Sequence, residues 1–315
     1  MKHYTVKKYR ENDYALWNDF IAQAKNGAFL FHRDFMEYHQ DRFEDFSLLI
    51  FENEKLKAIL PANKTADAVY SHQGLTYGGL VFLEKLKAAK IEIILDEILN
   101  FLKTNNIKNF YYRPIPGFYL AKGNQEVDFF LFKRNAVLER KEMNLALNLQ
   151  LPLCVSKSKM KHFRRIENLD LDIVEETDFT PFWDEVLSPR LSEKFNINPV
   201  HSKQEITLLQ NRFPKNIRQF SVYQEDKIIA GVTIFESNGV VKSQYGATSK
   251  KGEEVRALDF LFIHLILKFK REGKHFFDMG VVTEKNEKGY NPGLLQQKEE
   301  LGCSVYNQDF YKLTL

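Results

Sequence analysis

The stretch from Val240 to Gly280, VVKSQYGATSKKGEEVRALDFLFIHLILKFKREGKHFFDMG, narrows the fold more than any other part of the chain. Val240 to Ala247 is rich in β-branched and aromatic residues, as a buried strand requires. A polar loop from Thr248 to Gly252 follows. Leu258, Leu261, Phe262, Leu265 and Phe269 then recur at helical spacing, and Gly273 is placed to stop the helix. Phe276 to Gly280 reads as the next strand. A strand, a loop and a helix N-terminus in this order can hold a phosphate-bearing ligand, although most such units bind nothing.

The unit occurs twice. Residues 46–62 (FSLLIFENEKLKAILPA) match 220–233 (FSVYQEDKIIAGVT), each reading as two strands around a charged turn. The run Ser71 to Tyr77 corresponds to Lys242 to Thr248. Ile91 to Lys103 corresponds to the helix Leu258 to Lys270, and Asn109 to Tyr112 to His275 to Asp278. The offset drifts along the copy, as loops of different length produce. Two degenerate copies predict duplicated domains, placed at 1–152 and 153–315 around the crossing Leu151-Pro152-Leu153, rather than a solenoid of short repeats.

A chain of 315 residues has room for two domains. Hydrophobic residues at 44% and charged residues at 28% place it among globular proteins, and a net charge of +3 demands no nucleic-acid partner. The N-terminus carries no apolar run that could act as a signal peptide. The longest apolar stretch, Ala257 to Phe269, is too short to span a bilayer and contains Asp259 and His264. Cys154 and Cys303 are too few for a disulfide framework, so the expected compartment is the cytoplasm. No nucleophile-elbow serine, zinc-ligand spacing or phosphate-loop motif is present, and no metal is expected.

Several polar residues stand out. His32, Arg33 and Asp34 are enclosed by aromatics; they read as an ion pair at a helix start, or, for Arg33, as one wall of a substrate cleft. Val69 to Leu80 (VYSHQGLTYGGL) sets His72, Gln73 and Tyr77 beside three glycines, a turn-rich bulge or a site for a polar ligand. Arg113-Pro114 reads as a rigid turn. Ser156 to Leu169 reads as a helix carrying Lys157, Lys159, Lys161, Arg164 and Arg165, a solvated face or an anion-binding one. Ser202 and Glu205 fit a capping box, with His201 open beside them. Asn291-Pro292 is a helix start.

Taken together, the strand–loop–helix at 240–271, the strand ending Phe277-Asp278-Met279-Gly280 and the terminal KGYNPGLLQQKEELG resemble the acyltransferase fold called GNAT. Two copies, with KSKMKHFRRIENL opening the second, resemble its Fem-like branch of peptidoglycan-bridge aminoacyltransferases. The resemblance implies an α+β fold of two GNAT-like domains, each a mixed, largely antiparallel sheet flanked by helices. It implies an N-acyltransferase moving an acyl group to an amine of an amino sugar, nucleotide-sugar or cell-wall precursor. An aminoacyltransferase using charged transfer RNA and a non-catalytic binding protein on the same scaffold are the alternatives. The loop Ser249 to Ala257 departs from the family's glycine-rich pyrophosphate cradle: it has one glycine, and Glu253 and Glu254 would repel a pyrophosphate.

Acyl transfer to an amine needs the amine deprotonated, the oxyanion stabilised and the leaving group protonated. Backbone N–H groups near Tyr245 and Gly246 are the expected carbonyl-polarising groups, Tyr245 the proton donor and Asp278 the residue that orients or deprotonates the amine. Lys298 could hold an acidic substrate group or stabilise charge. The expected donor is an acyl-CoA held by Thr248, Ser249, Lys250, Lys251, Gly252, Arg256 and Ala257. Arg33, His72, Gln73, Tyr77, Gln244 and Lys298 are the expected substrate contacts.

Overall fold

Strand β1 (Tyr4–Lys8) leads into α1 (Tyr14–Gln23), which buries Trp17, Phe20 and Ile21 on one face, as their spacing predicts. The Trp17 indole N–H donates to the carbonyl of Phe31 at 2.8 Å. The helix expected to start at His32 to Asp34 is only one turn, α2 (Arg33–Met36), followed by a 3-10 turn. Strands β2 (Glu44–Asp45), β3 (Leu48–Glu52), β4 (Lys55–Leu60), β5 (Asn63–Thr65), β6 (Ala68–Tyr70) and β7 (Val81–Phe82) come next. Helix α3 (Ala88–Thr104) presents Ile91, Ile94, Leu95, Ile98, Leu99 and Leu102 to the core; β8 (Asn109–Tyr112), α4 (Glu126–Lys133) and β9 (Val137–Asn148) complete the first half.

The second half opens with the basic helix α5 (Lys157–Ile166), capped by Ser156, and β10 (Leu171–Glu176). A π-helical turn over Phe182–Leu187 runs directly into α6 (Ser188–Phe195), with Pro189 at the junction, where the residue that lacks an N–H meets the change from wide to regular helix. Helix α7 (Lys203–Arg212) has the expected Ser202–Glu205 capping box. Strands β11 (Ile217–Gln224), β12 (Lys227–Ser237) and β13 (Val240–Thr248) precede α8 (Lys250–Glu254) and α9 (Ala257–Arg271). Strand β14 (Phe276–Val281), α10 (Pro292–Glu300), capped by Asn291, and β15 (Ser304–Thr314) end the chain.

This is a computed structural model; the residues it describes are 4–120, 122–167 and 169–315. Asn168, in the last turn expected for the basic helix, and the first three residues lie outside them. The chain divides into two units, Met1–Glu142 with Asn307–Leu315, and Met143–Tyr306. The expected boundary at 152/153 is therefore corrected in two ways. The crossing falls earlier, within β9, because Asn144 to Asn148 pair with β14 of unit 2. The last residues belong to unit 1, because Tyr311 to Thr314 pair with β8.

In unit 2, β10, β11, β12 and β13 are successive antiparallel neighbours, β14 lies parallel to β13, and β9 is antiparallel to β14. One face of this sheet packs on α9 and α5 through Phe220, Val232, Ile234, Val241, Phe277, Leu261 and Phe269. Unit 1 repeats the strand–strand–strand–helix–strand order, with β8 parallel to β6 after α3. Its third strand is broken: β6 pairs with β5 and β8 in one sheet, residues 71–80 leave that sheet, and β7 joins a second sheet beside β4. Gly78 permits this excursion; a Cβ there would lie 1.4 Å from the Ser71 carbonyl oxygen. The last parallel pair is Tyr70 with Tyr111 in unit 1 and Lys242 with Asp278 in unit 2. The register expected from sequence, Ser71 with Lys242 and Tyr112 with Asp278, is thus one residue late. Two aromatic runs slide past each other at little cost in sequence similarity, whereas the pleat permits only one alignment.

Candidate active site

Parallel pairing of β13 with β14 is confined to Val240–Lys242 and Phe276–Asp278. Beyond it β13 follows β12 to Thr248, while β14 follows β9, so the strands part. Two bulges accompany the parting. Gln244 is the extra residue between the pairs Thr233–Tyr245 and Ile234–Ser243, and Met279 between Asp278–Ala146 and Gly280–Leu145. Bulges bend and re-aim strands in this way. The edge of β13 that faces β14 past Lys242 has no strand partner among the described residues, so its backbone groups are open to a ligand.

Below the opening lies a buried charged group. Asp278, 2% exposed, accepts hydrogen bonds from Asn144 Nδ2 at 2.9 Å and the Gly280 N–H at 2.8 Å, with Lys242 Nζ at 3.4 Å. Lys298, 7% exposed, donates from Nζ to the carbonyls of Gly280 at 3.0 Å and Val281 at 3.1 Å. Burial, helped by Lys242 and opposed by Asp278 and Cys303, draws the Lys298 ammonium down to about 8. Burial likewise pushes the neighbouring Cys303 thiol up to about 12. Lys298 is thus not the exposed helix lysine its sequence position also allowed. It anchors β14 through two carbonyls and holds a proton that comes off near neutral pH.

The Lys298 shift carries a stability prediction. Its pKa lies below that of an unfolded lysine, so between about pH 8 and 10.4 the unfolded chain holds more protons and unfolding free energy rises with pH. Below about pH 8 the buried ammonium is fully charged and this relief is absent. Denaturant unfolding between pH 7.5 and 10.5 is expected to show a rise of up to about 3 kcal/mol from this group, missing in Lys298→Met. Equal slopes in the two proteins would show that Lys298 titrates normally.

Tyr245 stands on the other side of the opening, against Trp183 at 5.2 Å between ring centroids. Its hydroxyl accepts from the His201 backbone N–H at 3.1 Å and lies 2.6 Å from His201 Nδ1, so the two side chains share a proton. Burial pushes the phenol up to about 12. Trp183 Nε1, a donor, and Gln244 Oε1, an acceptor next to Tyr245 in the chain, are buried with no hydrogen-bond partner among the described residues. His201 had a purely local reading in the sequence; its tie to Tyr245 spans two elements that only folding brings together.

The loop expected to hold a pyrophosphate is largely self-satisfied. Thr248 and Ser249 hydroxyls both donate to the Ile229 carbonyl, and Ser249 Oγ accepts from the Gly252 N–H. Gly252 is needed for contact, since a Cβ would sit 2.2 Å from that same Ile229 oxygen. Lys250 pairs with Glu193, Lys251 with Glu254 and Glu253 with Arg190. In this structure these residues shape the turn and pair with one another and with α6. What stays open is the start of α9, where Arg256, in the left-handed region at φ 57°, leads into Ala257 with no side-chain cap. Next to it His162 of α5 is lowered by slight burial and then by the charges of Arg256, Arg165, Lys161 and Lys159. Lys161, Arg165 and Arg256 thus gather positive charge beside the α9 N-terminus, while Lys159 is paired with Asp259 of the first turn of α9.

The unit 1 residues expected to contact substrate fare differently. Arg33 is enclosed, bonded to Glu37 at 2.8 Å and Asp45 at 2.5 Å, with Tyr9 3.7 Å beneath its guanidinium. Gln73 exchanges two hydrogen bonds with the buried Asn63, fixing the 71–80 excursion. Tyr77, 1% exposed between Phe31 and Tyr119, is a core residue, so its reading as a ligand contact gives way. His72 lines two cavities of this unit; burial, then His39, lowers it to about 3, so it is neutral at physiological pH.

No protein-family model and no curated protein sequence matches the chain. Among solved structures it is similar to FemX, with a TM-score of 0.72 at 10% identity over 99% of this chain and 97% of that one. It is also similar to L-PGS from Bacillus licheniformis, with a TM-score of 0.56 at 13% identity over 81% and 80% of the two chains. A tandem GNAT protein from the clavulanic acid biosynthesis pathway matches with a TM-score of 0.52 at 8% identity, over 100% and 98%. These likenesses establish the fold as two GNAT-type domains in tandem. Among the described residues, no helix is long and apolar enough to cross a membrane.

Proposed function

We propose that unit 2 is an N-acyltransferase centre in which an amine attacks an activated acyl group lodged where β13 and β14 part. The observation that carries this reading is the opening itself, with unpaired β13 backbone on one side and the buried Asp278–Lys242–Lys298 group on the other. Backbone N–H groups at the Gln244 bulge polarise the acyl carbonyl and take up charge on its oxygen. Asp278, held by Asn144 and Gly280, orients the attacking amine and draws off its proton. Tyr245 returns a proton to the leaving group and is reprotonated through His201. One C–N bond forms, the bond from the acyl carbon to its carrier breaks, and one proton passes from amine to leaving group. The proposed acceptor is an amine on an amino sugar, nucleotide-sugar or cell-wall precursor.

For the donor, the uncapped start of α9 beside Lys161, Arg165 and Arg256 supports an acyl-CoA-type molecule held by its phosphates. The inward-turned amides and paired lysines of 249–254 favour the second reading, a charged transfer RNA lying along α5. Calorimetry with acetyl-CoA, longer acyl-CoAs and charged transfer RNA separates them. The expected result is CoA-ester binding below millimolar concentration that weakens at least tenfold in the double variant Arg165→Glu, Arg256→Glu. No CoA binding, together with transfer-RNA binding of steep salt dependence, would replace the first donor with the second.

A further inference from the structure

The opening in unit 1 has the topology of the one in unit 2 and different chemistry. Where unit 2 ends its parallel pairing on Lys242 and Asp278, unit 1 ends on Tyr70 and Tyr111, whose rings stack 4.5 Å apart and 7° from parallel. The acid and the ammonium are both gone. Beyond the two tyrosines is a cavity of about 450 Å³, lined also by His72, Arg113, Arg140 and Phe310, with the single carboxylate of Glu139 among the lining residues against two guanidinium groups. A cavity of this size with aromatic walls and convergent polar groups is of the kind that holds small ligands.

Arg113 is the informative residue. Its Nη1 donates to the Leu75 carbonyl at 2.9 Å and its Nη2 reaches Gln308 Oε1 at 3.4 Å; both acceptors are neutral. Its Nε is buried with no partner among the described residues. No carboxylate among them lies within ion-pair distance of it. The nearby Glu142 is paired to Arg140 at 3.0 Å. The Phe310 ring lies 4.8 Å from the Arg113 guanidinium and 3.8 Å from that of Arg140, fixing both cations at the cavity. Burial disfavours the charged form of Arg113; Glu142 offsets part of this from a distance, and Arg140 repels it. A buried cation facing only neutral acceptors is costly, and an anion delivered by a ligand offsets that cost.

We propose that the opening in unit 1 is a binding site, without chemistry of its own, for an anion carried on a flat ring: a carboxylate or phosphate at Arg113 and Arg140, with the ring against Tyr70 and Tyr111. This site does not depend on acyl transfer by unit 2. Guanidinium groups take carboxylate or phosphate in two-point fashion, and stacked tyrosines offer a rigid aromatic face. His72 is neutral there and adds no competing charge.

The test is calorimetry on the whole chain with benzoate and phenyl phosphate, which distinguish the two anions, and with phenol and inorganic phosphate as the separated halves. At least one ring-bearing anion is expected to bind below about 1 mM, and at least tenfold more tightly than phenol or phosphate, a gap of about 1.4 kcal/mol. Arg113→Gln is expected to abolish that gap while the far-ultraviolet circular dichroism stays unchanged. Equal binding of phenol, absence of binding by both anions, or unaltered affinity in Arg113→Gln would each overturn the proposal. Should Arg113→Gln not fold, Arg140→Gln on the exposed rim decides: a loss of threefold or more supports the site and unchanged affinity rejects it.

Discussion

Replacing Asp278 by Asn is expected to lower turnover by about 10²- to 10⁴-fold, the range for loss of a positioned acid–base group. Asn has the same shape and can still accept from the Gly280 N–H, so the opening should persist. What it removes is the negative charge, leaving the half-buried Lys242 and the buried Lys298 without that counter-ion. The measurement is single-turnover acyl transfer with the donor that binds in calorimetry and a panel of amines, beside a melting curve. Turnover within threefold of the parent, in a protein of unchanged melting temperature, would remove Asp278 from the mechanism. A collapse of both would make it a structural ion-pair partner instead.

The second large effect concerns stability. Gly78→Ala places a Cβ 1.4 Å from the Ser71 carbonyl oxygen and 3.0 Å from the His72 N–H nitrogen. The obstacle is backbone, so no side chain can swing aside. The excursion 71–80 must shift as a whole, against the Asn63–Gln73 pair and the bond from the Arg113 N–H to Ser71 Oγ. A loss of about 3 kcal/mol or more in unfolding free energy is expected, at the upper end of overpacking substitutions. Gly117→Ala, where an added Cβ meets nothing within 4 Å, serves as the neutral control. A denaturant midpoint for Gly78→Ala equal to that of the control would mean the excursion yields easily.

The two effects differ in how much of them sequence reasoning reaches. A break near Val69 to Leu80 is legible because three glycines and Gln73 interrupt an apolar strand pattern. That Gln73 pairs with Asn63, while Tyr77 goes into the core, is not, because a polar or aromatic side chain in a turn has no intrinsic direction. Asp278 was legible as a carboxylate at a strand end. Its partners Asn144, Lys242 and Lys298 come from a strand far upstream, the neighbouring strand and a later helix, and no local spacing connects them. Arg113 shows the limit most plainly. Before proline it reads as a turn residue, and only the return of β15 sets Gln308 and Phe310 beside it.

What the sequence by itself determined is whatever depends on period and on local backbone preference. The apolar stripes of α3 and α9, the Ser202–Glu205 and Asn291–Pro292 helix starts and the repeated strand–helix–strand order are of this kind. Each is settled by residues within a turn or two of one another. The tertiary structure alone decided the register of the two copies, the points within β9 and β15 at which the chain passes from one unit to the other, and the electrostatics of both openings. Those depend on desolvation and on charges brought within a few ångströms from distant parts of the chain. A lysine reads as a lysine in any sequence; only a closed, water-poor site lowers its proton affinity to about 8.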